Sequence, residues 1–387
     1  MNKTILSVLS LLFCAAAGFF AAAQEYNPIP VALPSLQIAP DARGGGMGDT
    51  GAATAPDVYS QHWNAAKYPF IPGEAGIAFT YTPWLGKLVD DIHLLYTSGY
   101  LKFGYDGQNV LSASLRYFSL GDVEAGSLDG KFWQMMSPHE LAVDAGYSRK
   151  LTETFSGAVT LRYIYADYSF GSADVTPGNA FAADIAGYNE TSFYLGRSPA
   201  QFGFGFNLSN IGTKISYDGG NTSMFLPANL RLGVSLTYPP DPKNTFAVSF
   251  DINKLLVPTP QLPSDDETEE EMQQRIDKYE RISSIGGIFK SFADAPGGTE
   301  EKMREIVWSL GAEYSYEKRF TLRTGYHHEN EYKGNRRYFT FGAGFKSNIF
   351  QIDAACLVSA VPSNPLDQTL RISLGFDMEG IGNLFIR

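Results

Sequence analysis

Leu230-Arg231-Leu232-Gly233-Val234-Ser235-Leu236-Thr237-Tyr238 alternates bulky apolar residues with small or polar ones at every step. Successive side chains of a β-strand point to opposite faces, so this stretch reads as a strand with one greasy and one wet side. The same alternation runs through Leu141, Val143, Ala145 and Tyr147, and through Phe202, Phe204, Phe206 and Leu208. It recurs in Phe246, Val248, Phe250 and Ile252, and in Leu370, Ile372, Leu374 and Phe376. A soluble sandwich also alternates, with its greasy face inside. Two features favour a membrane barrel. The segments approach the ~9–11 residues that cross a bilayer as tilted strands. The connections also alternate in length. Tight turns at 106–109, 151–154, 239–243, 317–319 and 347–348 separate longer loops at 84–91, 121–138, 171–179, 218–226, 255–304, 329–335 and 360–367. Short periplasmic turns and long outer loops are the expected asymmetry of such barrels.

The reading is therefore an all-β, transmembrane antiparallel β-barrel of about fourteen strands. The strands fall at 74–83, 92–105, 109–120, 139–150, 155–169, 180–193, 200–217, 227–238, 244–254, 305–316, 319–329, 336–346, 349–359 and 368–378. An even number puts both chain ends on the periplasmic side. The second strand breaks step: Ile92, Leu94 and Tyr96 share one face, whereas Leu101 and Phe103 fall on the other. A bulge near Thr97 to Gly99 would restore the register, either as a twist adjustment or as a gap in the wall that opens sideways.

Composition agrees with a lipid-facing wall. Only 18% of residues are charged, below the ~25% of ordinary globular chains. The 27 Phe and 22 Tyr suit aromatic belts at the two membrane surfaces. The formal charge of −11, with no basic patch, argues against a nucleic-acid partner.

The wet face carries ordered charges. Arg116, Asp144, Arg162 and Asp184 lie on consecutive strands with alternating sign. Arg231 and Asp251, Glu313 and Arg323, and Asp353 and Arg371 follow on neighbouring strands. Such neighbours can pair and stiffen the wall. A selective ion pore would instead show a ring of one sign.

Residues 1–23 read as a secretory signal, with Lys3 before an apolar core from Ile5 to Ala17 and Ala21-Ala22-Ala23 as the cleavage site. Phe13 precedes Cys14 where lipoprotein processing needs a small residue. The remaining Cys356 stands alone, which excludes an internal disulfide and a thiolate metal site in the mature chain. From 24 to 73 the alternation is absent. This stretch holds Ala42-Arg43-Gly44-Gly45-Gly46-Met47-Gly48-Asp49-Thr50-Gly51-Ala52, then Asp57, then His62-Trp63-Asn64-Ala65-Ala66. It lacks the Gly-Lys-Ser/Thr of a phosphate-binding loop. The barrel occupies 74–387.

The longest loop, 255–304, opens with Pro258, Pro260 and Pro263 and continues into an acidic run. Met272, Ile276 and Tyr279 follow at helical spacing, with acids before bases, so a helix from Glu267 to Ile282 lies over the barrel mouth. The run lacks the alternate ligands, central Gly and closing Glu of a calcium loop. Apolar residues stand in loops where water is expected: Trp84 and Leu85, Trp133, Met135 and Met136, Met224 and Phe225, Ile288 and Phe289. They are candidate partner contacts, or local loop packing.

Neither a zinc-binding helix motif nor a Gly-x-Ser-x-Gly elbow occurs, and His327-His328 point to opposite faces of a strand. These observations argue against an enzyme.

Gly46-Met47-Gly48, Asp57 and Asn64-Ala65-Ala66 resemble the plug of the long-chain fatty-acid transporter superfamily of outer-membrane proteins, with Ala65 where Pro is usual. Within it the chain resembles the PorV family of the type IX secretion system, found in Bacteroidetes. The resemblance rests on Leu36-Gln37-Ile38-Ala39-Pro40-Asp41-Ala42-Arg43, Asn64-Ala65-Ala66-Lys67, Asn207-Leu208-Ser209-Asn210-Ile211-Gly212 and Leu226-Pro227-Ala228-Asn229-Leu230-Arg231-Leu232-Gly233. It implies a fourteen-stranded plugged barrel in the outer membrane, without metal or cofactor. It also implies a shuttle that binds the C-terminal signal domain of secreted cargo. Such a shuttle takes cargo from the outer-membrane translocon to an attachment complex containing a sortase-like enzyme. The competing reading is a diffusion channel for hydrophobic molecules such as fatty acids. That reading requires an apolar pocket leading to a lateral gap.

Overall fold

A computed structural model describes residues 26–378, apart from 87–88, 90, 105–106, 127–132, 170–174, 264–265 and 362–365. The expected signal sequence, residues 1–23, lies outside the described residues. The alternating segments form strands β1 (Ala75–Pro83), β2 (Ile92–Phe103), β3 (Asn109–Leu120), β4 (Val123–Gly126), β5 (Trp133–Met136), β6 (His139–Lys150), β7 (Phe155–Asp167) and β8 (Gly178–Leu195). They continue as β9 (Ser198–Gly212), β10 (Asn229–Tyr238), β11 (Asn244–Leu255), β12 (Ile306–Tyr316), β13 (Phe320–His328), β14 (Arg337–Lys346), β15 (Phe350–Ser359) and β16 (Leu370–Asp377). All but β4 and β5 make one closed antiparallel barrel of fourteen strands, sealed where β1 meets β16 with Phe79 opposite Leu374. Closure leaves no edge strand unpaired in the membrane.

The opening stretch behaves as its alternation requires. Leu232, Val234 and Leu236 of β10 are exposed on the outer wall, while Gly233 and Ser235 are buried inside. The outer wall ends in rings at both rims. Tyr81, His93, Tyr117, His139 and Tyr165 follow one another across β1, β2, β3, β6 and β7 with centroids 5.9, 6.4, 5.6 and 6.0 Å apart. At the short-turn rim Phe320, Phe345 and Phe350 are spaced 5.2 and 6.1 Å. Amphipathic rings of this kind sit at membrane surfaces.

Three expectations are corrected. The second strand has no bulge: β2 pairs with both β1 and β3 without a register shift from Ile92 to Phe103. Its apparent break arises because Leu94, Tyr96 and Tyr100 are bulky residues that point inward and are buried. Leu95, Leu101 and Phe103 keep the outward row in step. The register shift lies in β8 instead, between Ala183 and Ile185 against β9. Asp184, at that shift, accepts the Asn210 backbone N–H at 2.7 Å. The loop at 121–138 is also not irregular throughout, since β4 and β5 pair as a small hairpin above the wall. The longest loop holds three helices rather than one: α3 (Glu269–Glu280), α4 (Ser284–Lys290) and α5 (Gly298–Arg304). The expected helix is α3, opened by a capping box in which Thr268 and Glu271 serve each other's backbone N–H.

Candidate functional site: the luminal segment and the outer cap

The chain before β1 runs through the interior of the barrel. It contains a 3₁₀ turn at Pro34–Gln37, helix α1 (Ala42–Gly46), helix α2 (Ser60–Trp63) and a second 3₁₀ stretch at Ala65–Phe70. Asp41 caps α1 by accepting the Gly44 N–H at 2.7 Å, and its other oxygen accepts the Trp63 indole N–H at 2.6 Å. Trp63 is wedged between Gly44 and Gly51; a Cβ on either would lie within 2.5 and 2.2 Å of the indole. Gly48 has φ +70° and sits against the β13 backbone, where a side chain would meet Tyr326 N at 2.7 Å. The small inner residues of the wall match it: Gly205, Gly311 and Gly325 face Ala52, Met47 and Gly48 so closely that a Cβ would collide with their backbones.

Polar bonds fix this segment around the circumference. Arg116 Nη1 donates to the Ser35 carbonyl at 2.6 Å. The Gly51 and Ala52 N–H groups donate to Asp251 Oδ2 at 2.8 and 2.9 Å. Gly48 N–H donates to Thr340 Oγ1, and Ala42 N–H to Ser373 Oγ, both at 2.8 Å. Asn64 donates to the carbonyls of Ala52 at 2.8 Å and Gly187 at 3.0 Å, and its Oδ1 accepts the Ala66 N–H at 3.0 Å. Ala65 and Ala66 are buried in the same contact. Lys67, fully buried, donates to Gly51 O at 2.8 Å and Thr54 Oγ1 at 3.1 Å.

The wall charges form two networks and a set of single ties. Arg162 bridges Asp144 at 2.7 Å and Asp184 at 3.0 Å. Arg43 of the segment joins Asp57 at 2.7 Å to Glu313 at 3.2 Å, and Arg323 continues to Glu313 at 2.7 Å and Asp353 at 2.6 Å. The remaining charges do not pair between neighbouring strands as the sequence suggests. Asp251 serves the Gly51 and Ala52 amides, leaving Arg231 stacked on Trp63 at 4.5 Å. Arg371 lies 3.8 Å from Asp49 instead of pairing with Asp353. The reason is the segment, which occupies the space between those strands and takes their polar groups. Asp41, Asp49, Trp63 and Lys67 were not singled out from sequence as luminal ties. The one available signal was Lys67, an isolated cation in the apolar run Ala65 to Phe70.

Among the described residues, a cavity opens at each end of the barrel. One of about 440 Å³ opens at the short-turn end beside Arg43, Asp57 and Glu313; one of about 340 Å³ lies at the long-loop end, and they share no lining residue. Among the described residues no cluster of His, Cys, Asp and Glu could hold a metal ion.

The long-loop end carries a structured cap. Phe225 is a correction to the loop-contact set: it is buried under Lys214 at 4.1 Å and against Tyr279 at 5.6 Å. Trp84, Leu85, Met136 and Ile288 are half-buried, whereas Met135, Met224 and Phe289 are exposed, Phe289 by 74%. The side chain of Trp133 lies outside the described residues. Ile285 and Phe292 extend the exposed apolar surface around α4, while Gly287 on its inner side meets Phe225 and Pro258. The cap is anchored by Lys333 with Glu301, by Lys302 with Asp294, by Lys254 with Glu305 at 2.8 Å, and by Arg336 with Glu329 at 2.8 Å.

A family model described as Type IX secretion system protein PorV matches residues 21–262, more than half of the chain. The chain belongs to the PorV family. It is thus an outer-membrane β-barrel component of type IX secretion, associated with the other components of that system. Among solved structures, the toluene transporter TodX of Pseudomonas putida is 14% identical, with 91% of this chain and 99% of that chain covered at a TM-score of 0.47. The toluene transporter TbuX of Ralstonia pickettii is 13% identical over 87% of this chain and 96% of its own, with a TM-score of 0.44. A FadL homologue of Pseudomonas aeruginosa is 10% identical over 91% and 99%, with a TM-score of 0.43. No curated protein matches the sequence.

Proposed function

We propose that this PorV-family barrel is a non-enzymatic cargo shuttle. It binds secreted proteins through their C-terminal signal domain as they leave the translocon and delivers them to the sortase-containing attachment complex. The observation that carries this reading is the luminal segment. Bonds from Arg116, Asp251, Thr340 and Ser373 hold it to strands all round the wall, so it acts as a plug. The cavities at the two ends share no lining residue, and charged side chains stand in the walls of both, which supports a blocked lumen over a continuous apolar passage. The unbroken pairing of β2 leaves no bulge at Thr97 to Gly99, where the sequence suggested a sideways opening. A plugged barrel works through its surfaces, and it offers two: the apolar residues exposed around α4, and Met135 on the β4–β5 hairpin.

Deletion of the gene tests the role in the cell. Loss of many surface-attached proteins supports the shuttle, and loss of fatty-acid uptake alone overturns it. In vitro, an isolated cargo signal domain should be retained by the detergent-purified barrel.

A further inference from the structure

The hairpin of β8 and β9 outruns its neighbours at the short-turn rim. Pairing of β7 with β8 ends at Phe155 opposite Asn189, and pairing of β10 with β9 ends at Thr237 opposite Gln201. Beyond these points β8 and β9 pair only with each other, out to Leu195 opposite Ser198. Thr191 to Leu195 thus carry the tip about 17 Å along the strand, at about 3.4 Å per residue. Phe193 and Leu195 share the outer face with Phe202 and Phe204, and both are exposed. Ser192 and Tyr194 share the other face with Glu190 and Gln201, and Tyr194 is 78% exposed.

The two edges of this ribbon differ. On the β8 side the Glu190 N–H donates to the Thr154 carbonyl at 2.8 Å. Alternate residues of an antiparallel strand turn their main-chain groups to the same side. Ser192 and Tyr194 therefore present N–H and C=O past the end of β7, where no described residue pairs with them. On the β9 side the matching position is Pro199, which has no N–H. The Ser198 hydroxyl also donates to the Pro240 carbonyl at 3.1 Å and holds that turn against the edge. Native sheets blunt exposed edges with charge, proline or a bulge. The β9 edge is blunted in this way. Thr191-Ser192-Phe193-Tyr194-Leu195 carries none of these devices and is rich in residues that favour strands.

The free groups select their occupant. Donors and acceptors recur every second residue along the edge, a pattern that the main chain of another strand matches and a lipid headgroup does not. A second copy in the same membrane sends its hairpin the same way, so it cannot lay its own β8 antiparallel to this one. A strand entering below the 151–154 turn would occupy the line along which β7 would continue. Alternate side chains would then meet Phe193 and Leu195 on the outer face.

We propose that the β8 edge from Thr191 to Leu195 takes up an extended segment of a second, periplasm-facing protein by strand addition, with apolar residues at alternate positions of that segment. The edge lies at the opposite end from the cap and does not depend on the cargo role. The test uses the full-length barrel in lipid nanodiscs. The probe is a ten-residue synthetic peptide alternating Val and Thr between terminal lysines, with its fully N-methylated analogue as control. Proline is tolerated on an edge strand where its nitrogen faces outward, so Ser192→Pro and Tyr194→Pro remove one free donor each. Folding of both is checked by heat-modifiable migration in gels. The peptide should bind the wild type and slow amide exchange at Ser192 and Tyr194. At least one well-folded proline variant should bind it tenfold or more weakly, and Ser192→Ala should bind it as the wild type does. No peptide binding, equal binding by both proline variants, or equal binding of the methylated analogue overturns the proposal. So does slow exchange of the two amides without peptide, whether from lipid or from a dimer of the barrel.

Discussion

Arg323 shows how much one side chain carries in this lumen. It is 3% exposed and holds both Glu313 and Asp353, while Glu313 also holds Arg43 of the plug. Removing one partner of a buried network strands the others, at a cost of about 3–5 kcal/mol. Arg323→Met should therefore lower the unfolding free energy of the detergent-solubilised barrel by that much, read from the shift of its denaturant midpoint. A midpoint within error of wild type would mean that the network contributes nothing net. Gly48 is the second decisive residue. Its φ of +70° and the wall backbone beside it leave no room for a side chain. Gly48→Val should dislodge the plug while sparing the wall, seen as new protease cleavage within residues 26–73 of an otherwise heat-modifiable barrel.

At the level of elements, the cap should respond to acid before the wall does. Burial raises the Glu301, Glu305 and Glu329 carboxyls. The hydrogen bonds and charges of Lys333, of Lys254 and of Arg336 respectively outweigh that and hold each net below its ordinary value. A carboxyl depressed in the folded state stabilises it above the unfolded value of 4.5, and that contribution is lost as pH falls through the folded values. Amide exchange in α3, α4 and α5 should stay slow at neutral pH and accelerate below about pH 4.5 before the strands respond. Uniform exchange in cap and wall across that range would refute the coupling. The exposed surface makes its own prediction. Replacing Met135 and Phe289 by Ser, with Trp133 and Met136 changed in the same hairpin, should leave barrel assembly intact and weaken co-purification with secretion partners. Unchanged co-purification would reject this patch.

What the sequence revealed divides along the same line. Barrel strands and α3 were legible because alternation and helical spacing are local patterns. The inward row of β2 was misread because bulky residues face the plug there, which inverts the usual small-inside rule. The ties of Gly51 to Asp251 and of Gly48 to Thr340 join residues far apart in the chain, and no local pattern encodes them. The wall charges were found, yet half of the expected pairs were replaced because the segment competes for them. Phe225 illustrates the limit for loops: its type signalled a contact, and only the fold shows that the contact is internal.

For the molecule as a whole, wall and luminal segment complete each other. Without residues 26–73 Asp251 would lose the Gly51 amide, Arg116 the Ser35 carbonyl, and Glu313 its second cation, Arg43. A barrel lacking this segment should conduct ions across a planar bilayer where the intact protein is silent. Equal conductance would show that the segment does not seal. Conversely, cysteines linking Gly51 to the β11 wall should leave both assembly and silence unchanged.

The Trp63 wedge also says something about biogenesis. An indole clamped between two glycines, on a segment bonded from β3 round to β16, is held on all sides by the closed cylinder. The segment directly precedes β1, and β1 meets β16 at the seam. That arrangement favours an order of assembly in which the wall curls around the segment and the first and last strands zip together afterwards.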